Sequence, residues 1–538
     1  MKALKYSVFA ILLGMLLVSA SLSAQNTVES MNPNSTTRKF SALLYLIDHY
    51  YVDTLNMPHL VDKAIVSTLA DLDPHSTFIP AKDVKESRES LEGSFDGIGV
   101  SFQIFRDTIL VITPVHGGPS EKAGIMAGDK IVTVNGKSAV GPKITNEWVI
   151  SHLRGKKGTK VHLGIYRNGV GHLLHFTITR DRIPLNSLDA AFMLSKHTGY
   201  MRLARFAATS RHEFDTAFRR LKKEGLQNLI FDLRGNPGGY LETAQQIASE
   251  FLTPGQLIVY TKGIHSPKQE LYASGKGDFR KGKLVVLINE GSASAAEITT
   301  GALQYWDRAL IVGRRSFGKG LVQRPFYLPD GSVVRLTIAR YYTPSGRWIQ
   351  RPYNHGVAAY YKDLEKRLKD GELFHADSVH FPDSLKFHTK NGRTVYGGGG
   401  IMPDVFIPLD STRFDALYTA LVIKSIFNTF VNDYLNKNRP YLNKKYPNFR
   451  TFEKWFSVSR TMFNHFLSLA EKHKITINPQ ELNPNINFFK LQIKALIASE
   501  VYGQNAYFEV IAPSDAAIKK SLELIQSKTA FKKMKINY

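Results

Sequence analysis

Leu284-Val285-Val286-Leu287-Ile288-Asn289-Glu290-Gly291-Ser292-Ala293-Ser294-Ala295-Ala296-Glu297 reads as a buried strand, a turn of small residues and the first turn of a helix. Around it, residues 184–410 alternate the two periods. Strands are predicted near 199–203, 228–233, 284–288 and 309–312, and helices at 210–224, 240–252 and 295–306. That order predicts an α/β layer with an apolar sheet core. In such sheets ligands gather where strand C-terminal ends meet helix N-termini, and three motifs of this chain fall at such ends.

The first is the quoted turn itself. A strand-to-helix turn of small residues can present a serine hydroxyl at a helix N-terminus, where free N–H groups and the dipole stabilise negative charge. Ser294-Ala295-Ala296-Glu297 is equally a capping box, in which the serine closes the helix end. Spacing alone does not choose between these roles, nor between Ser292 and Ser294. The second motif, Gly313-Arg314-Arg315-Ser316-Phe317-Gly318-Lys319-Gly320, is a near miss to a phosphate-binding P-loop. Gly320 stands where the magnesium-binding Ser/Thr would be, and residues 321–327 read as a strand instead of a helix. Lys319 is then either a solvated loop charge or a buried base. The third, Asp232-Leu233-Arg234-Gly235-Asn236-Pro237-Gly238-Gly239, superficially echoes a trypsin-like nucleophile loop, but Pro237 occupies the nucleophile's place. A glycine-rich strand exit remains, able to supply backbone N–H groups to half of an oxyanion hole.

Upstream, residues 93–183 change to short β-rich runs with two short helices, near 118–124 and 145–154. This stretch resembles a PDZ domain. Gly97-Ile98-Gly99-Val100 matches the carboxylate-binding loop, and Ala123-Gly124-Ile125 through Asn135-Gly136 matches the long central signature. Such a loop binds chain ends because glycines let successive N–H groups converge on a carboxylate while the next strand pairs with the ligand backbone.

Taken together with Tyr342-Thr343-Pro344-Ser345-Gly346-Arg347, these motifs resemble the carboxyl-terminal processing peptidases, or tail-specific proteases, which are Ser/Lys-dyad enzymes. The resemblance runs from Leu72-Asp73-Pro74-His75-Ser76 to Gly400-Ile401-Met402-Pro403-Asp404. It implies a crotonase-like protease core with the PDZ module inserted after an N-terminal helical region. It also implies Ser294 as nucleophile, Lys319 as general base and Gln323 as the residue that orients the lysine, with Ser292 left to packing. The oxyanion hole falls to the N–H of Ala295 and of Gly238 or Gly239, and Arg154 looks similar to an arginine coupling the PDZ gate to the active site. The residue chemistry agrees. A serine needs a neutral base, and a lysine serves only when burial lowers its pKa from ~10.4. Gln323, four residues on, is expected on the same side as Lys319. His75 reads as a turn residue. No metal or cofactor is required. A catalytically inactive PDZ-type scaffold is the rival reading, disfavoured because all three side chains of the catalytic set are present.

The termini carry the rest. Lys2 and Lys5, an apolar stretch over residues 8–18 and small residues up to Ala24 have a signal-peptide layout, predicting export to the periplasm or cell envelope with residues 1–24 removed or kept as an anchor. Residues 25–92 read as a helical lead, 351–396 as an insertion in the core, and 411–538 as a helical C-terminal region with aromatics at helical spacing (Phe427, Phe430, Tyr434; Phe456, Phe463, Phe466). In 538 residues there is no cysteine, which excludes disulfides, thiolate metal sites and a cysteine nucleophile. The net charge is +24, and residues 411–538 hold 19 basic against 9 acidic residues, a net of +10. No Lys/Arg cluster interleaves with aromatics, so nucleic acid is not an expected partner. Protein or peptide substrates with unstructured C-termini, an anionic envelope surface and a second copy of the chain are.

Overall fold

The computed structural model describes residues 35–105, 107–115, 117–275, 277–410 and 415–538. The signal-peptide layout of residues 1–24 lies outside the described residues. Among them, no helix is long and apolar enough to cross a membrane.

The core is a six-stranded sheet in the order Leu188–Met193, Thr198–Leu203, Asn228–Asp232, Leu284–Ile288, Leu310–Gly313, Val405–Phe406. Only the first pair is antiparallel. Every residue of Leu284–Ile288 is buried, as a strand covered on both faces requires. Alternation divides its side chains. Leu284, Val286 and Ile288 join Leu229, Phe231 and Ile311 under the helices Ser210–Lys223, Leu241–Ala248 and Ala295–Tyr305. Val285 and Leu287 join Ile230, Leu310 and Val312 on the opposite face. That second face is closed by the chain's last residues. Ile518, Leu524 and Ile525 of the helix Ala516–Gln526, followed by Phe531 and Ile536, complete its core.

A second, antiparallel sheet lies beside the first. In the hairpin Leu321–Tyr327/Val333–Tyr342, the outer edge of the second strand pairs near its end with Leu257–Lys262 and near its start with the short strand Thr77–Ile79. The helical lead therefore ends as a strand of the protease core. Between them runs a further helix, Ala81–Glu92, terminated by Gly93 in the left-handed region. The 351–396 segment folds as two short helices, Gly356–Tyr361 and Asp363–Lys369, and a small hairpin, Lys386–His388/Thr394–Tyr396.

The chain enters and leaves the β-module through a ribbon, Ser94–Gly97 paired with Asp181–Pro184. The module has its own six-stranded sheet and its own core, which includes Ile109, Val111, Ile131, Val149, Leu163 and Ile178. The C-terminal helices from Ala416 to Ile511 bury a third core around Phe427, Phe430, Phe466, Phe452 and Phe489.

Candidate active site

Three parallel strands end at one edge, so the loops after Asp232, Ile288 and Gly313 meet there. Their meeting is fixed by buried polar groups. Asp232 is held below the usual carboxylate range, at about 2: burial pushes it up, but Arg234 and Arg202 outweigh this and Tyr200 assists. Arg234 Nη2 donates to it at 2.6 Å, Arg202 Nη1 at 3.2 Å and the Tyr200 hydroxyl at 2.7 Å. Asn236, fully buried, donates to the Leu203 carbonyl at 2.8 Å, and its own carbonyl accepts the Ala293 N–H at 2.9 Å. This ties the glycine loop to the serine turn.

The turn then brings Ser294 to a position where φ is +54° and ψ −114°. A non-glycine residue held there costs of the order of 1–3 kcal/mol and persists only when its surroundings impose it. A plain N-cap residue sits in the extended region; Ser294 caps the helix Ala295–Tyr305, in a capping box with Glu297, from a sharp turn at positive φ. Gly238 makes the approach possible, since a Cβ there would stand 2.7 Å from Ser294 Cβ. Ser292, fully buried, donates to the Leu233 carbonyl at 2.8 Å and accepts the Asn289 N–H at 3.0 Å, so its hydroxyl is committed to the turn.

The two glycines differ. The Gly238 N–H donates to Asn236 Oδ1 at 2.8 Å. Among the described residues, the N–H groups of Gly239 and Ala295 have no hydrogen-bond partner. Of the pair that the resemblance left open, Gly239 is thus the one with a free donor.

The loop after Gly313 brings in Lys319 and continues as the strand Leu321–Tyr327, which removes the P-loop geometry. Glu297 clamps this loop to the serine turn. Fully buried, it accepts the N–H groups of Ser294 at 2.9 Å, Gly318 at 2.7 Å and Lys319 at 2.9 Å, and the Ser316 hydroxyl. Burial pushes Glu297 up to about 7 against the pull of these donors. The Tyr341 hydroxyl donates to the carbonyls of Lys319 and Ser294 and binds the same two loops from below. The Ser-x-x-Glu spacing signalled only the first of Glu297's bonds; the rest join residues far apart in sequence, and Tyr341 carried no local signal.

Lys319 is lowered from the ordinary lysine range, chiefly through burial and secondarily through Arg335, with Glu297 and Asp73 opposing. No hydrogen bond joins its amine to the Ser294 hydroxyl among the described residues. Gln323 does not bond Lys319 either: its amide donates to Thr337 Oγ1 at 3.3 Å. A bulge in the facing strand, where Ile338 is passed over between Ala339 and Thr337, sets Gln323 opposite Thr337.

In the β-module, Gly97 ends the ribbon, Ile98 and Gly99 follow with N–H groups that have no partner among the described residues, and Val100 opens an edge strand, Val100–Phe105. Arg154 is the C-cap of the module's helix Asn146–Leu153. Its guanidinium pairs with the buried Glu89 and stacks 4.6 Å from the Phe95 ring centroid, joining the module to the helix Ala81–Glu92.

Residues 197–359 match peptidase family S41, residues 97–178 match the PDZ domain, and residues 417–503 match a family of unknown function, DUF8443. The chain is 38% identical over 293 residues to the carboxy-terminal processing protease CtpA of Bacillus subtilis, an alignment that covers 54% of this chain and 62% of that protein. With CtpB of the same organism the identity is 32%, covering 64% and 70%. With the carboxy-terminal-processing protease of Bartonella bacilliformis it is 36%, covering 60% and 75%. Fold, loops and likeness define a PDZ-bearing serine-type peptidase. The chain belongs to peptidase family S41, alongside the carboxy-terminal processing proteases.

Proposed function

We propose that this protein is an exported endopeptidase that captures unstructured C-terminal tails on its PDZ module and cuts the chain at a Ser294/Lys319 centre. The observation that carries this reading is Ser294 in its enforced left-handed turn, clamped by Glu297 to the loop of a lysine whose pKa burial lowers. Lys319 takes the proton of Ser294 Oγ as that oxygen bonds to the scissile carbonyl carbon. The oxyanion receives the N–H groups of Gly239 and Ala295. Lys319 then gives its proton to the leaving amine, and water attacks the acyl ester with the same base. Among the described residues no hydrogen bond joins base and nucleophile; such bonds commonly tighten only when a substrate closes the site. Gln323 reaches the lysine in that closed form. No cofactor enters any step.

The tail site is the Gly97–Val100 loop, whose free Ile98 and Gly99 N–H groups suit a terminal carboxylate, with the edge of Val100–Phe105 open to pair with the peptide. Homo-oligomerisation belongs to the same reading. Phe40, Leu43 and Leu46 of the helix Ser35–Tyr50 are about half exposed, an apolar stripe suited to a second copy. The basic C-terminal region suits an anionic envelope surface, which salt-dependent binding of the intact chain to anionic vesicles would test.

Cleavage of a peptide with an apolar free C-terminus tests the centre. Ser294→Ala and Lys319→Ala are each expected to lose on the order of 10³-fold or more in kcat. Undiminished cleavage by either would sink the dyad, and no cleavage of any tailed substrate by the unaltered chain would favour the scaffold.

A further inference from the structure

The lysine loop is held by Glu297 on one side. On its other side stand two segments that the chemistry above does not use, the Asp73–Ser76 turn and the inserted helix Gly356–Tyr361. Gly320, next to Lys319, donates its N–H to Gln350 Oε1 at 2.8 Å. The Gln350 amide donates to the Tyr360 hydroxyl at 3.3 Å, and that hydroxyl meets His75 Nε2 at 2.9 Å. Tyr360 is buried, its ring edge-on to His75 with centroids 5.2 Å apart. The turn is rigid: Asp73 Oδ1 accepts the N–H groups of His75 at 2.8 Å and Ser76 at 2.9 Å, and the Thr337 hydroxyl at 3.1 Å. Since Thr337 also accepts the Gln323 amide, bonds from both flanks of Lys319 converge on this turn.

We infer that His75 and Tyr360 are positioning residues for Lys319, a hydrogen-bonded wall that keeps water from the amine and adds no further negative charge beside it. The inference rests on the assignment of Lys319 as base. The charged groups facing His75 are Lys319 and Arg351 on the cationic side and Asp73 on the anionic side; burial first and then Lys319 push the imidazole down to about 3, so it is neutral at any working pH. Those facing Lys319 are Arg335, Glu297 and Asp73. A neutral imidazole accepting from Tyr360 fits beside a lysine that must lose its proton. An anion in that place would hold the proton on.

The test compares His75→Gln with His75→Glu, nearly equal in shape and different in charge, by the pH dependence of kcat/KM on a tailed peptide, with melting curves to confirm folding. The glutamate is expected to move the acid limb upward by about one pH unit or more, a tenfold loss below it, while the glutamine keeps the limb of the unaltered chain. Coincident limbs in the two folded variants would overturn the inference. Should the glutamate variant not fold, Tyr360→Phe removes only the hydroxyl and is expected to lower kcat about tenfold at unchanged KM; an unchanged kcat overturns it. Lys319→Ala in the same assay separates the two assignments. If it still cleaves, the base is wrong; if it is dead while the His75 limbs coincide, only the wall is wrong.

Discussion

The PDZ module and the C-terminal tail both look like attachments to a protease core, yet they are joined to it by opposite means. The module closes its own core, in which no buried residue is shared with the sheet; a two-stranded ribbon and the Arg154–Glu89 pair join it to the protease core, and Gly128 packs closely against Asn436 of the helix Ile426–Lys445. The tail is divided: the helices Ala416–Ile511 close a core of their own, but the end of the chain does not. Its last residues form one core with the central sheet, and polar links fasten it to both ends of the strands. Asp515 pairs with Arg234 at 2.9 Å while capping the helix Ala516–Gln526, and the Lys283 amine donates to the Ile525 carbonyl at 2.5 Å and the Ser527 carbonyl at 2.8 Å. A ribbon and a charge pair permit motion, as a gate that senses a substrate end requires. A shared core forbids it, and what is gained is a fixed Asp232–Arg234 strand end beneath the glycine loop.

The largest effect should come from cutting the chain at 503. Ile518, Leu524, Ile525, Phe531 and Ile536 would be lost from the sheet's second face, at roughly 1.5–3 kcal/mol for each large side chain, a sum comparable with the whole stability of a domain, about 5–15 kcal/mol. The shortened chain is expected to be insoluble or to lack a cooperative melting transition; a soluble, active product ending at 503 would show that the tail is an attachment after all. Phe531→Ala asks the same of a single residue that is 1% exposed. About 3–5 kcal/mol of destabilisation is expected, read by urea titration, with activity per folded molecule retained.

The same contrast explains what could be read in the sequence. Strands buried on both faces are continuous apolar runs, so Leu284–Ile288 and its neighbours were visible, as was the helix whose Phe214, Phe218 and Leu221 repeat at helical spacing. The serine turn and the lysine loop were visible as glycine-rich strand exits. The tail's destination was not, because the apolar face of Ala516–Gln526 looks the same whether it covers another helix or a sheet. Thr77–Ile79 is too short to show an alternation. The clamp by Glu297 and the wall of His75 and Tyr360 join residues tens to hundreds of positions apart, with no local pattern to announce them.

The smallest effects lie in the module, and their order is the sharper test. Arg154→Ala leaves Glu89, whose side chain is 8% exposed, walled in without its strongest partner. Burial already pushes Glu89 upward and Arg154 opposes this, so the variant should take up a proton there and lose about 1–3 kcal/mol. Excising residues 98–180 and bridging Gly97 to Asp181 removes far more of the chain, yet those two residues already face each other across the ribbon, where paired Cα atoms lie about 4.5–5.5 Å apart, so a short turn closes the gap. With the module gone, Glu89 meets water and needs no partner. The excised protein should therefore melt closer to the intact chain than Arg154→Ala does, while losing its preference for one free C-terminus over another. If excision instead lowers the melting temperature of the core by more than the single substitution, the module carries part of the core's stability, and the ribbon cannot be the hinge that sets it apart from the tail.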